Sequence, residues 1–330
     1  MKKIILGFLL LSSCILKAQV YNNEWIDYSK TYYKFKIGVT GLYRIPQSLL
    51  ASAGMGSTPA EYFQLWRNGA QVPLYITTAS GQLSNSDYIE FWAEANDGKP
   101  DKPLYRDPSY QICDKYSLES DTAVFFLTAN PVSSNNLRLV STPNNVAGNS
   151  LPVEPYFMYT LGNYPRQKMN PGIAVNVGEY MYSSSYDKGE MLSSLDMDMN
   201  TSVSYTFPGN LYIYPTGPNP KFKVGILGNA INARRYTATI NNDSIIGKEV
   251  DYFNFALDST TFNLSTLASN TATVNITNLT QCITPPNCPA YDAMDIISYE
   301  ITYPRKFDFG GSSNFEFYLP ATALGNYIEI

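Results

Sequence analysis

Hydrophobic and polar residues alternate over much of this chain with a period of two, the repeat of strands whose two faces meet different surroundings. In the first such run Tyr33, Phe35, Ile37 and Val39 share one face, with Lys34, Lys36 and Gly38 on the other. Residues 41–45 read as a second short strand. Pro46 suits the first turn of a helix over residues 47–53, where its missing N–H costs nothing, and Gly54 stops that helix. Residues 62–67 form a strand that runs into Asn68-Gly69, the dipeptide of a two-residue hairpin. The return strand is expected over residues 72–76, with Pro73 placing it at a sheet edge. The turn cluster Ser84-Asn85-Ser86-Asp87 precedes a run of strand formers, residues 88–93. Adjacent side chains of a strand point to opposite faces, so either Phe91 or Trp92 faces the interior. Residues 94–101 cannot continue the strand, because Asn96-Asp97-Gly98 tolerate positive φ and Pro100 removes a donor. The plainest reading there is a core strand followed by a solvated acidic turn. Residues 122–128 are another buried strand, and residues 137–140 close this half.

Residues 141–155 are rich in Asn, Pro, Ser and Gly and mark a domain boundary. Beyond it, strands are expected at residues 203–207, 222–227, 236–240, 250–255, 273–276, 296–303 and 315–319. Their spacing predicts a jelly-roll-like sandwich. The pattern shows no long amphipathic helix and no internal repeat. The expected fold is therefore all-β, with two β-sandwich or jelly-roll-like domains at residues 20–145 and 155–330.

Composition agrees and adds two exclusions. A chain of 330 residues, 44% hydrophobic and 14% aromatic, can bury a large core. A net charge of -5 with only 15% charged residues argues against nucleic-acid binding, which needs basic patches. Histidine is absent, so these residues build no Ser-His-Asp or Cys-His centre and no His-containing zinc site. No catalytic residue, metal ligand or cofactor-binding residue is assigned. Lys2 and Lys3 ahead of the apolar residues 4–11 read as a secretory signal peptide of residues 1–19, too short to span a membrane. Cleavage after Ala18 gives that peptide a normal length, while Leu11-Ser12-Ser13-Cys14 offers a rival lipoprotein site at Cys14. Either way the chain is exported, and no transmembrane span is expected.

Four cysteines fit no Cys₄ zinc spacing. In an exported chain, Cys282 and Cys288 around a Pro-rich bend are read as a loop disulfide, and Cys113 as a buried thiol without a base. Glu90, Glu94, Asn96, Asp97 and Asp101 are the hard oxygen donors that calcium uses, but their spacing does not fit an EF-hand. A hydrogen-bonded structural turn is the simpler reading. Asp196 and Asp198 are a carboxylate pair of the kind used in acid/base chemistry. Met197 and Met199 alternate with them, which describes a half-exposed strand or loop equally well. The 27 tyrosines suit glycan stacking, and suit amphipathic surfaces of extracellular β-domains no less.

Leu65-Trp66-Arg67-Asn68-Gly69 together with residues 88–105, YIEFWAEANDGKPDKPLY, resembles the N-terminal region of the gingipain-like sortases of the bacterial type IX secretion system, the PorU family. The order of Gly41-Leu42-Tyr43-Arg44, a short helix, Trp66 before a hairpin and then the acidic loop is similar to that family, as are residues 180–190 and 297–305. The resemblance implies a propeptide-like N-terminal domain and a sandwich preceding a cysteine peptidase domain outside these residues. It also implies exported cargo and the outer-membrane secretion machinery as partners, at the outer-membrane cell surface. A stand-alone secreted sandwich that binds glycan or a surface protein is the alternative.

Overall fold

Alternation becomes sheet in both halves of the chain. The structure is a computed structural model that describes residues 23–141, 143–144, 146–176, 180–183, 186–280, 291–312, 315–323 and 325–329. The expected signal peptide, Cys14 and the expected Cys282–Cys288 bridge lie outside the described residues. The chain divides into two compact units: Met1–Ala95 with Thr122–Pro143, and Asn96–Asp121 with Asn144–Ile330. The segment Asn96–Asp121, expected within the N-terminal domain, therefore clusters with the second unit. The reason is burial, since its Tyr105, Ile112, Cys113 and Tyr116 share a core with Met191, Leu227 and Ile297.

The first unit contains β1 (Tyr33–Ile37), β2 (Gly41–Pro46), α1 (Gln47–Ser52), β3 (Phe63–Arg67), β4 (Ala70–Val72), β5 (Tyr75–Ile76), β6 (Tyr88–Ala93) and β7 (Ala123–Ala129). They form sheets of order β1-β7-β3-β4 and β2-β6-β5. Phe91 is 0% exposed and Trp92 39%, so Phe91 is the inward ring. It lies 6.0 Å from Phe35 and 5.7 Å from Phe125, centroid to centroid. The helix closes in a Schellman motif, with Met55 N on Leu50 O at 2.8 Å and Gly54 N on Ala51 O at 3.0 Å. Asn68 (φ 48°) and Gly69 (φ 80°) make the hairpin between β3 and β4, the left-handed pair that a type I′ turn demands. The return strand is shorter than expected and ends at Val72, because Pro73 has no N–H for a ladder. The chain then changes sheets, and β5 pairs with β6. Residues 137–140 form no strand; Leu74 N meets Leu137 O at 3.2 Å and Leu139 N meets Leu74 O at 2.8 Å.

The second unit contains β8 (Phe157–Asn163), β9 (Lys168–Asn170), β10 (Gly172–Asn176), β11 (Tyr180–Ser183), β12 (Met191–Ser193), β13 (Ser202–Thr206), β14 (Lys221–Gly228), β15 (Arg234–Ile240), β16 (Asp243–Glu249), β17 (Phe255–Thr261), β18 (Thr273–Thr280) and β19 (Met294–Arg305). Its main sheets run β13-β18-β15-β16 and β17-β14-β19-β8. Taking β8 and β13 to β19 as strands 1 to 8, these orders are 2-7-4-5 and 6-3-8-1, the connectivity of a jelly roll. The small pairs β10-β11 and β12-β9 are inserted between its first and second strands. Phe222, Val224, Ile226, Tyr236, Ala238 and Ile276 are among the residues buried between the main sheets.

Two expected strands are absent. Residues 250–254 form a turn, with Tyr252 at φ 54° and the carbonyls of Val250 and Tyr252 accepting from Arg234. Residues 315–319 form no ladder, and their alternate rings Phe315 and Phe317 pack on Phe157 at 6.0 and 5.0 Å. Among the described residues no helix is long and apolar enough to cross a membrane.

Candidate functional site

The acidic residues singled out around β6 disperse. Glu90 lies opposite Arg44 on β2 and pairs with its guanidinium at 2.8 Å, while that guanidinium stacks 3.7 Å over Tyr88. Glu94 lies 3.6 Å from Arg67. In the second unit Asn96 Nδ2 donates to Ser120 O at 2.7 Å, and Asp97 accepts from Lys99 N at 3.1 Å. Asp101 is not part of a solvated turn; it is 5% exposed. Its carboxylate accepts from Ser117 Oγ at 3.0 Å and from Leu118 N at 2.8 Å, pinning the segment to itself. Among the described residues no three His, Cys, Asp or Glu side chains gather as metal ligands would. Cys113 is a buried free thiol, and burial pushes its pKa up, away from the reactive thiolate.

The other carboxylate pair separates too, and one member leads to an unforeseen cluster. Asp196 follows β12 and accepts from Lys168 Nζ of β9 at 2.5 Å and from Asn229 Nδ2 at 3.2 Å. The same Lys168 Nζ lies 3.0 Å from Oδ2 of Asp295 on β19, whose side chain is fully buried. That contact is an ion pair without hydrogen-bond geometry, so neither Asp295 oxygen has a hydrogen-bond donor. Burial pushes Asp295 up to about 7 against the pull of Lys168, and neighbouring Asp196 adds to the rise. For Asp196, burial opposes ionisation, but hydrogen bonds from Lys168 and Asn229 and the positive charge of Lys168 outweigh it and hold the pKa below its ordinary value. Asp198 takes no part and accepts from Met199 N at 2.7 Å and from Asp292 N at 3.3 Å. Sequence reading missed Lys168 and Asp295. The available signal was a carboxylate set among Met294, Ile296 and Ile297 in a strand buried on both faces.

Asp196 sits at the rim of a groove of about 700 Å³ at the edge of the roll, lined also by Asn163, Leu195, Val203, Tyr205 and Tyr299. Two carboxylates with pKa values pushed apart are the usual mark of acid/base assignment. Here the raised one, Asp295, does not line the groove, and Lys168 clamps both. The groove's Ser194 hydroxyl is committed, donating to Leu195 O at 2.8 Å and accepting from Ile296 N at 2.9 Å. The cluster fastens β9 and the chain after β12 to β19 rather than preparing a nucleophile.

A second buried charge pair fixes the neighbouring turn. Arg234 and Asp292 have side chains 0% exposed and meet at 2.6 Å. Asp292 also accepts from Asn232, Asn278 and Thr280, and Arg234 donates to the carbonyls of Ala230, Val250 and Tyr252. Burial opposes the charge on Asp292, but these donors, led by Arg234, hold its pKa well below the usual carboxylate range. Every partner is satisfied, the condition under which a buried pair can persist.

No protein-family model and no curated protein matches the sequence. Among solved structures, the chain is similar to the CBM36-1 domain of a multidomain xylanase from the hindgut metagenome of Trinervitermes trinervoides, at 15% identity over 44% of this chain and 95% of that one. The TM-score there is 0.23, too low to imply a common fold. Dimeric latent PorU from Porphyromonas gingivalis matches at TM-score 0.52 and 12% identity, over 85% of this chain and 25% of that chain. The chain thus corresponds to about a quarter of that PorU chain's length, and the likeness is one of fold.

Proposed function

We propose that this chain is the non-catalytic β region of a type IX secretion sortase of the PorU kind, serving to fold, dock or cover a peptidase domain that is not among these residues. The observation that carries the reading is the extent of the fold likeness. It spans 85% of the chain, more than either unit contains, so it includes parts of both. The absence of histidine removes the usual base of a cysteine or serine peptidase and supports a non-catalytic role here. Docking would bring exported cargo and outer-membrane secretion subunits to this surface. The test is cross-linking of intact cells that carry a tagged copy of the chain, followed by mass spectrometry of what it captures. Exported proteins with C-terminal sorting segments, or outer-membrane secretion subunits, are the expected partners. Capture of periplasmic or cytoplasmic proteins alone would refute the reading.

A further inference from the structure

β19 carries its core-facing row to its last residue. Ile301, Tyr303 and Arg305 share one face by alternation, the first two 0% exposed and Arg305 7%. A row of core side chains thus ends on a buried cation. The rings of Tyr159, Tyr212 and Phe315 surround the guanidinium, with centroids at 5.0, 5.0 and 4.9 Å. Tyr212 takes φ 50°, a conformation uncommon for a residue other than glycine.

Arg234, the other buried arginine of the described residues, meets Asp292 at 2.6 Å, but Arg305 has no carboxylate partner among them. Asp308 turns its carboxylate to Gly310 N at 2.9 Å. It offers Arg305 only its carbonyl, which accepts from Nε at 3.1 Å and from Nη2 at 2.7 Å. Tyr303 supplies no negative charge, since burial pushes its pKa up to about 12 against the pull of Arg305. A charge withdrawn from water without a counter-ion is costly.

A guanidinium has five N–H groups, and that one carbonyl occupies the Nε–Nη2 edge. The Nη1–Nη2 edge remains. Nη1 has no hydrogen-bond partner among the described residues, yet it is not one of the sealed, unsatisfied atoms, so it keeps access to the cavity that Arg305 lines. This cavity of about 260 Å³ is lined also by Tyr159, Leu161, Tyr212 and the stretch Pro208-Gly209-Asn210. Among the described residues Arg305 is the one charged member of its lining.

We propose that the cavity binds a small ring-bearing carboxylate, its two oxygens on the Nη1–Nη2 edge of Arg305 and its ring among Tyr159, Leu161 and Tyr212. Two parallel N–H groups in one plane match a carboxylate. A single cation suits a single negative charge, whereas a phosphate dianion would leave one charge unmatched. A cavity of about 150 Å³ already holds a benzene ring, so the space here admits a ring with its carboxylate. The inference is independent of the proposed secretion role.

Isothermal titration of the full chain with benzoate and with glucuronate tests it, against the neutral analogues benzamide and glucose. The two acids separate an aromatic from a sugar source of the carboxylate. At least one acid should bind one-to-one below about 10 mM, at least roughly tenfold tighter than its neutral analogue. R305K keeps the charge but loses the fork, and should weaken that acid at least roughly tenfold with unchanged far-ultraviolet circular dichroism. K306Q, which removes the adjacent exposed cation, should leave binding unaltered. No binding of either acid, or equal binding of acid and neutral analogue, overturns the proposal, and this comparison needs no variant to fold. R305K that binds like the wild type, or K306Q that weakens binding as much as R305K, overturns it too.

Discussion

Asp295 is where charge and burial conflict most directly. Its ordinary pKa is 3.8, and burial raises it to about 7 in the fold. Between those values the native state holds a proton that the unfolded chain has released, so stability falls as pH rises through the window and levels off above it. Asp295→Asn removes the ionisation but keeps the shape. Relative to the wild type it should gain stability from pH 4 to pH 7.5, by up to about 4 kcal/mol at 1.36 kcal/mol per unit. Urea melts at pH 4.5, 6 and 7.5 measure this, and a pH-independent difference between the two proteins would contradict it. Phe91 offers a test that does not depend on pH. It is buried among Phe35, Tyr43 and Phe125, whereas Trp92 is 39% exposed. Phe91→Ala should cost about 3–5 kcal/mol and Trp92→Ala clearly less, by thermal or urea unfolding. The period-two pattern narrowed the inward ring to these neighbours, and the cross-strand pairing of Phe91 with Tyr43 decided between them.

At the scale of elements, legibility followed local chemistry. Asn68-Gly69 named its own hairpin, and the alternation of β1, β15 and β18 named strands that bury one face. β16 and β17 went unread because, with no fully buried position in either, no face stands out. Residues 250–255 and 315–319 misled for the opposite reason, since apolar alternation there fills a turn and an aromatic cluster. The acidic segment misled through Asp101, since sequence cannot show that Ser117 and Leu118 return to cap it. Asp101→Ala should therefore destabilise by about 1–3 kcal/mol, the cost of orphaning buried donors. Asp97→Ala, whose side chain is 33% exposed and pairs with Lys99, should cost little. Equal losses in thermal melts of the two variants would show that the capping of Asp101 is unimportant.

At the scale of the molecule, the jelly roll was legible as a class from the spacing of strands. Its connectivity was not, because pairing order depends on contacts between residues far apart in sequence. Nor could sequence show that Asn96–Asp121 belongs with the second unit, since what decides it is a core shared with Met191, Leu227 and Ile297. The Lys168–Asp196–Asp295 cluster was hidden for the same reason, its members coming from β9, the chain after β12, and β19. What sequence did state outright is the absence of histidine, which leaves these residues without the base of a cysteine peptidase. The proposal that joins these scales is that this all-β region serves, without catalysis of its own, the processing of exported proteins. The most direct measurement is mass spectrometry of the C-termini of exported proteins from the source bacterium with and without the gene encoding this chain. Loss of the gene should leave C-terminal sorting segments uncleaved on cargo, with restoration on complementation. Cargo that is cleaved and attached at normal levels without the gene would contradict the account.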